Sequence, residues 1–285
     1  MKKRKNKRGI MPIVIILVPV LAAAFLLFDS AHTLSVTEYD IYDARLPQSF
    51  DGFKIVQLSD LHGAEFGKEN SRLIEAVRRE KPDIIAVTGD IISSSDDLPA
   101  AEALVTALAE ICDVYFVSGN HDFGSGEMSR LSDVLEKAGI KYLSNEYVLP
   151  EKERESIVLA GVEDPNSWED MMSPEGLAES MAAEHPDKFR ILLAHRNDWC
   201  EKYPALPVDL ILCGHGHGGI VRLPGIGGIF GTGRTLFPEY DAGLFHSGSY
   251  DMIVSRGLGN SVPIPRILNR PEIITVNLFH RRGIY

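Results

Sequence analysis

The sequence predicts a layered α/β body carried on a single membrane-spanning helix, and three observations make that prediction. Gly9 to Phe28 is an uncharged, apolar run of 20 residues. Beyond it, short apolar stretches alternate with segments of helical spacing, the rhythm of strands separated by helices that cover the faces of a sheet. Five of those stretches run into Asp, Asn or His within a few residues, and open α/β sheets bind ligands just past the C-terminal ends of their strands.

A helix of 20 residues is long enough to cross a hydrocarbon core of about 30 Å. Six basic side chains precede it (Lys2, Lys3, Arg4, Lys5, Lys7, Arg8) and no Lys or Arg follows until Arg45. That bias places the N-terminus in the cytoplasm and the body outside it, on a single-pass cell-membrane protein. A cleaved signal peptide is the rival reading; its apolar core would be roughly 7–15 residues long, and no small-x-small site follows Phe28. The resulting partition is a basic tail over 1–8, an anchor over 9–28, a polar tether over 29–50 and a folded body over 51–285.

In the body, Phe53 to Leu58 reads as a strand, ending at Ser59-Asp60-Leu61-His62. Asn70 or Ser71 caps a helix through Glu80, with Leu73, Ile74 and Val77 on one face. Asp83 to Val87 is a strand closing on Thr88-Gly89-Asp90, and Pro99 to Glu110 a helix. The strand Asp113 to Val117 delivers Gly119-Asn120-His121-Asp122. Glu127 to Ala138 is a helix stopped by Gly139. Further strands are expected near 140–148, 156–162, 189–193, 208–213, 251–255 and 272–278, with one helix over 174–185. Between Gly218 and Gly248 lies a long glycine-rich segment that reads as a loop, and loops of that length in compact domains are usually functional. A lid or substrate groove that touches lipid is the sharper reading of it.

Composition limits the partners. With 285 residues and 45% apolar content the chain can bury a substantial core. Residues 31–285 hold 23 positive and 39 negative side chains, a net of −16 within a whole-chain −11. Nucleic acid, which needs a basic face, is excluded as a partner. A phosphate ester would need bound cations to supply the positive charge. Cys112, Cys200 and Cys213 match neither a zinc ribbon nor a disulfide framework and read as buried thiols.

The candidate metal ligands are Asp60, His62, Asp90, Asn120, His195, His215 and His217. Two divalent cations sharing one carboxylate and one hydroxide would use up such a set, and in two-metal sites the bridging hydroxide attacks while both cations neutralise the transition state. Mixed imidazole and carboxylate ligands suit Mn, Fe or Zn better than Ca or Mg.

The five motifs Asp-x-His, Gly-Asp, Gly-Asn-His-Asp, Ala-His and Gly-His-x-His, in this order, resemble the calcineurin-like metallophosphoesterases. Phe66-Gly67, Val162-Glu163-Asp164-Pro165, Val221-Arg222-Leu223-Pro224, Ser255-Arg256-Gly257-Leu258-Gly259 and Arg270-Pro271-Glu272-Ile273 are similar to the membrane-anchored bacterial branch that includes UDP-diacylglucosamine pyrophosphatases. The resemblance covers about 54–278. It implies a four-layer α-β-β-α sandwich and a binuclear phosphoesterase acting on phosphomono- or phosphodiesters, with a lipid or envelope substrate. It also implies one cation on Asp60, His62 and His217, another on Asn120, His195 and His215, and Asp90 bridging. His121 would sit at the leaving-group oxygen as proton donor, oriented by Asp122. Gly216 and Ile220 stand where the branch commonly has Thr and Gln, and Asn197 where it often has Pro. A catalytically silent metal-binding scaffold is the alternative; His121 and Asp122 discriminate, since a protein that only binds metal has no use for them.

Overall fold

The computed structural model describes residues 10–167, 173–232 and 235–281. The basic tail and Gly9 lie outside the described residues.

In chain order the first half runs α1 (Ile10–His32), β1 (Ser35–Asp43), β2 (Phe53–Leu58), α2 (Ser71–Glu80), β3 (Ile84–Thr88), α3 (Leu98–Ala109), β4 (Asp113–Val117), α4 (Asn120–Gly124), α5 (Met128–Lys137) and β5 (Lys141–Tyr142). The second half adds β6 (Glu146–Val148), a hairpin of β7 (Glu151–Lys152) and β8 (Glu155–Ser156), β9 (Val158–Gly161), α6 (Pro174–Glu184), β10 (Arg190–Leu193) and α7 (Trp199–Lys202). It closes with β11 (Leu210–Cys213), a hairpin of β12 (Arg222–Leu223) and β13 (Gly227–Gly228), β14 (Gly243–His246), β15 (Asp251–Val254) and β16 (Glu272–His280).

Two six-stranded sheets stack face to face, in the orders β1-β16-β2-β3-β4-β5 and β14-β15-β11-β10-β9-β6. Strands β2 to β5 are mutually parallel, as are β9, β10, β11 and β15. Alternate side chains of each strand point to opposite faces, so each sheet contributes to two cores. Ile55, Ala86, Tyr115 and Val117 meet Leu159, Ile191, Leu193 and Leu212 between the sheets. Val56, Ile85 and Phe116 pack outward against Leu73 and Val77 of α2, Leu104 of α3 and Leu131 of α5. On the other side Leu192, Ile211 and Met252 pack against Leu177 and Met181 of α6 and against Trp199. Helices, sheet, sheet and helices make the four expected layers.

Three stretches differ from expectation. The segment expected as a polar tether contains β1, an edge strand pairing in parallel with β16 from Ser35↔Glu272 to Asp43↔His280. Its charged Glu38 and Asp40 point to solvent because an edge strand buries only part of its surface, and that is why it reads as a linker. The single strand expected over 140–148 is two strands in different sheets: Leu143 drops into the inter-sheet core, and Asn145 turns the chain at φ +55°. The long glycine-rich segment is partly structured, with the β12–β13 hairpin, a Phe230–Leu236 bridge, and β14 paired antiparallel with β15.

Leu193 is fully buried between the sheets. Leu193→Ala is expected to cost about 2–5 kcal/mol, measured by denaturant titration of the detergent-solubilised chain with tryptophan fluorescence. A cost below about 1 kcal/mol would contradict a tightly packed inter-sheet core.

Candidate metal centre

All seven candidate ligands lie at one end of the two sheets, just past the C-terminal ends of β2, β3, β4, β10 and β11, on loops and turns except Asn120, which begins α4. The loops after β2 and β3 continue to pair: Asp60 N donates to Gly89 O at 3.0 Å and His62 N to Asp90 O at 3.0 Å. A side chain at Gly89 (φ +82°) would come within 2.6 Å of Gly119 N, so the loops after β3 and β4 touch backbone to backbone. A side chain at Gly214 would overlap Ser59 Oγ and Asp60 Oδ2, so the loops of the two sheets close directly onto each other. Asp60, His62, Asp90, His215 and His217 all sit at positive φ, between 46° and 64°. Such residues cost about 1–3 kcal/mol each and persist only where the surroundings over-determine them.

The side chains form two groups that share one member. Ligand atoms of Asp60, His62, Asp90 and His217 lie within 4.8 Å of one another, and so do those of Asp90, His195 and His215. In the first group His62 Nε2 is 3.2 Å from His217 Nε2 and 3.5 Å from Asp90 Oδ2, and His217 Nε2 is 3.5 Å from Asp60 Oδ1. In the second, His195 Nε2 is 3.2 Å from Asp90 Oδ2, from His215 Nδ1 and from Asn120 Oδ1. Asn120 therefore joins the second group through its amide oxygen.

These donors fit cations. Asp90 Oδ2 is buried without a hydrogen-bond partner although two imidazole nitrogens face it. His195 Nδ1 lies 2.8 Å from Thr88 O, which fixes the proton on Nδ1 and leaves Nε2 pointing a lone pair at two oxygens. Only a proton or a metal ion between them makes that arrangement favourable. Ser93 Oγ, 2.8 Å from His62 Nδ1, orients the other ring.

Electrostatics agree. Burial and the neighbouring His217 push His62 down to about 3, and burial and His195 push His215 down to about 3. Burial also disfavours charge on His195, but the Asp90 carboxylate outweighs it and pushes that imidazole up to about 10. Burial would raise Asp90; the charges of His195 and His62 overcome it and hold the carboxyl well below the usual range.

His121 lies beside the first group, its ring edge-on to His62 at 4.8 Å between centroids. Asp122 does not orient it. The two Asp122 oxygens accept from the backbone N–H groups of Asp90 (2.7 Å), Gly119 (2.8 Å) and Ile92 (3.1 Å). A carboxylate at the third position of a helix folds back on the helix N-terminus, and here that geometry ties the Asp90 loop to the Asn120 loop. His121 is held by its backbone instead, its N–H donating to Asp90 Oδ1 at 2.7 Å.

Some residues give no pattern in the sequence. Asn269 is fully buried and its amide donates to the carbonyls of His217 and Ile220 at 2.8 and 3.0 Å, while Arg266 is buried under the same turn and donates to Gly259 O at 2.7 Å. Their one signal is the lack of helical or strand periodicity between Ser255 and Glu272. Arg256 pairs with Glu272 and does not reach the centre. Two of the three departures, Gly216 and Asn197, lie side by side: a side chain at Gly216 would come within 2.8 Å of Asn197 Nδ2. Beside His195 opens a cavity of about 310 Å³ lined by Val162, Glu163, Arg196, Trp199 and Tyr203, in which Asp164 grips Arg196 through two bonds of 2.7 and 3.0 Å.

Comparison with known proteins places this centre among relatives. A family described as calcineurin-like phosphoesterase matches residues 53–219. The uncharacterized metallophosphoesterase YkuE of Bacillus subtilis is 32% identical over 254 residues, 87% of this chain and 86% of its own length. Phosphodiesterase YaeI of Escherichia coli is 31% identical over 233 residues, 79% of this chain and 82% of its own length. Among solved structures, a dimetal phosphatase from Danio rerio has 15% identity and a TM-score of 0.45, covering 80% of this chain and 93% of that one.

Two measurements check the geometry. Asp122→Asn places an N–H group among three N–H donors and is expected to cost about 1–3 kcal/mol of stability; a purely catalytic defect with unchanged melting would contradict the clamp. In metal-free protein, unfolding lets His62, His215 and His217 take up protons below about 6.5 that the folded chain refuses, whereas Asp122, pushed up to about 7 by burial and Asp90, opposes with one proton. Three outweigh one, so the Tm of the chelated protein is expected to fall as pH drops from about 6.5 to 4. Differential scanning fluorimetry reads it, and a rising Tm would refute the burial of neutral histidines.

Proposed function

This chain belongs to the calcineurin-like phosphoesterase family and is a hydrolase of phosphoester bonds, and on that premise we propose that it works with two divalent cations on a lipid or envelope phosphoester. The observation that carries the reading is Asp90, the one carboxylate common to both groups of ligand atoms. Asp60, His62 and His217 would hold one cation, Asn120, His195 and His215 the other, with Asp90 shared. When bound, the cations would supply the positive charge that this acidic body lacks and generate the nucleophile from water. The mixed donor set suits Mn, Fe or Zn.

The chain's own residues do the rest. Thr88 O holds the His195 ring in one tautomer and Ser93 Oγ orients the His62 ring, each with Nε2 turned inward. His121, half-buried and held through its backbone by Asp90, donates a proton to the departing oxygen. Asp122 keeps the Asp90 and Asn120 loops in contact and is a positioning residue. The α1 helix supports an anchored enzyme, with the basic tail over 1–8 in the cytoplasm and the body over 51–285 outside it. Family membership and the placement of His121 beside the ligands favour this reading over a silent scaffold.

The test uses the full chain in detergent, stripped by chelation and reloaded with Mn, Fe or Zn, on bis-nitrophenyl phosphate and nitrophenyl phosphate. Activity is expected to vanish on stripping and return on reloading. His121→Ala is expected to lower kcat by about 10²–10⁴ with metal content unchanged, and Asp90→Ala to lower the metal bound per chain. Two metals per chain retained in Asp90→Ala would overturn the shared-carboxylate assignment.

A further inference from the structure

The register of the first sheet decides which end of the body meets the membrane. Strand β2 runs toward the metal centre, and β16 is antiparallel to it with Ile274 opposite Gln57, so β16 begins at the centre's end of the sheet. Strand β1 is parallel to β16 with Ser35 opposite Glu272 and begins at that same end. Helix α1 stops at His32. Two residues then separate it from β1, so His32 and Ser35 lie about 11 Å apart at most. The junction is braced as well. Asp29 pairs with Arg270 at 2.8 Å, Arg72 donates to His32 O at 3.1 Å, and Ser35 donates to Pro271 O through N–H and hydroxyl at 2.9 Å each. The body has no length of free chain with which to turn its metal centre away from the bilayer.

That same end carries an apolar rim. Ile226 and Leu236 are each 63% exposed, Phe237 58%, Ile264 and Leu268 43% and Leu223 39%. They are joined to one another: Leu268 lines the same shallow depression as Leu223 and Ile226, the Val221–Ile267 bridge ties the hairpin to the 260–268 loop, and Phe237 N donates to Ile229 O. The rim is joined to the centre through Asn269, which holds His217, and to the foot of the anchor through Arg270, two residues after Leu268. Within a body of net charge −16, residues 223–232 and 257–265 contain no charged side chain. Exposed apolar patches of this kind mark interaction surfaces. Uncharged loops with bulky aliphatic and aromatic tips suit the boundary between headgroups and acyl chains, about 5–10 Å deep.

We propose that this rim is a membrane-docking surface, seated in the bilayer that holds α1, so that the metal centre opens at the level of the lipid headgroups. The partner is the lipid interface itself, because the anchor foot and the rim are parts of one braced corner. The proposal rests on the anchored-phosphoesterase reading and narrows its substrate class to phosphoesters carried at a bilayer surface.

The test places a fluorophore on single cysteines in the full chain, with Cys112 and Cys200 replaced by Ala and Cys213 left, since it is fully buried. Phe25→Cys reports the anchor, Ile226→Cys and Leu268→Cys the rim, and Glu153→Cys the β7–β8 turn, beside the N-terminal ends of β2 and β3. In phosphatidylcholine vesicles carrying doxyl-labelled lipid, the two rim positions are expected to show at least half the quenching seen at Phe25, and Glu153 none. Quenching at Phe25 with both rim positions as silent as Glu153 overturns the docking surface and leaves the anchor standing. Silence at all four overturns both. Turnover of bis-nitrophenyl phosphate by the labelled rim variants is expected within twofold of the unlabelled chain. A chain inactive on phosphoesters whose rim is still quenched would fail the enzyme reading alone.

Discussion

Three carboxylates, those of Asp60, Asp90 and Asp122, are packed almost out of reach of solvent at one end of two stacked sheets, and the local structure is arranged around compensating them. An unpaired buried charge is among the most unfavourable features a fold can contain. Asp122 is satisfied by three backbone N–H groups, which draws two loops together. Asp60 takes the His215 N–H, which draws the second sheet's loop onto the first. Asp90 is left with one bare oxygen facing imidazoles, an imbalance that a cation would relieve.

Holding five of the seven ligand residues in left-handed backbone needs a stiff support. The sandwich provides it by ending parallel strands at a common level, so that each loop leaves from a position set by its neighbours' register. Glycine at 89 and 214 lets those loops approach to backbone contact. The ligands are thus held by layers whose cores lie elsewhere, which separates the stability of the body from the strain of the centre.

Much of this was legible in the residues. The strands 53–58 and 113–117 match expectation to the residue, because a short apolar run bounded by polar turn residues has few alternatives. The seven candidate residues could be picked out because each follows such a run, and the fold brings their donor atoms together. Strand β1 was not, since an edge strand with Glu38 and Asp40 outward has the composition of a linker. Adjacency to His121 suggests that Asp122 pairs with it, whereas its position at a helix start turns its carboxylate back on the main chain. Asn269 and Arg266, far along the chain in a segment without periodicity, carried no sign that they support His217.

By itself, the order of residues determined what depends on local chemistry and spacing: an apolar span long enough for a bilayer, alternating strands and helices, and a set of His, Asp and Asn side chains suited to divalent cations. Tertiary structure alone decided which of these meet. Asp90 lies in both groups of donor atoms, and the apolar helix α1 joins the body at the same end of the sheet as those groups, because β1 and β16 close the sheet's edge across more than 200 residues of chain. Such pairings follow from strand register and buried charge, and neither is written in any one stretch of sequence.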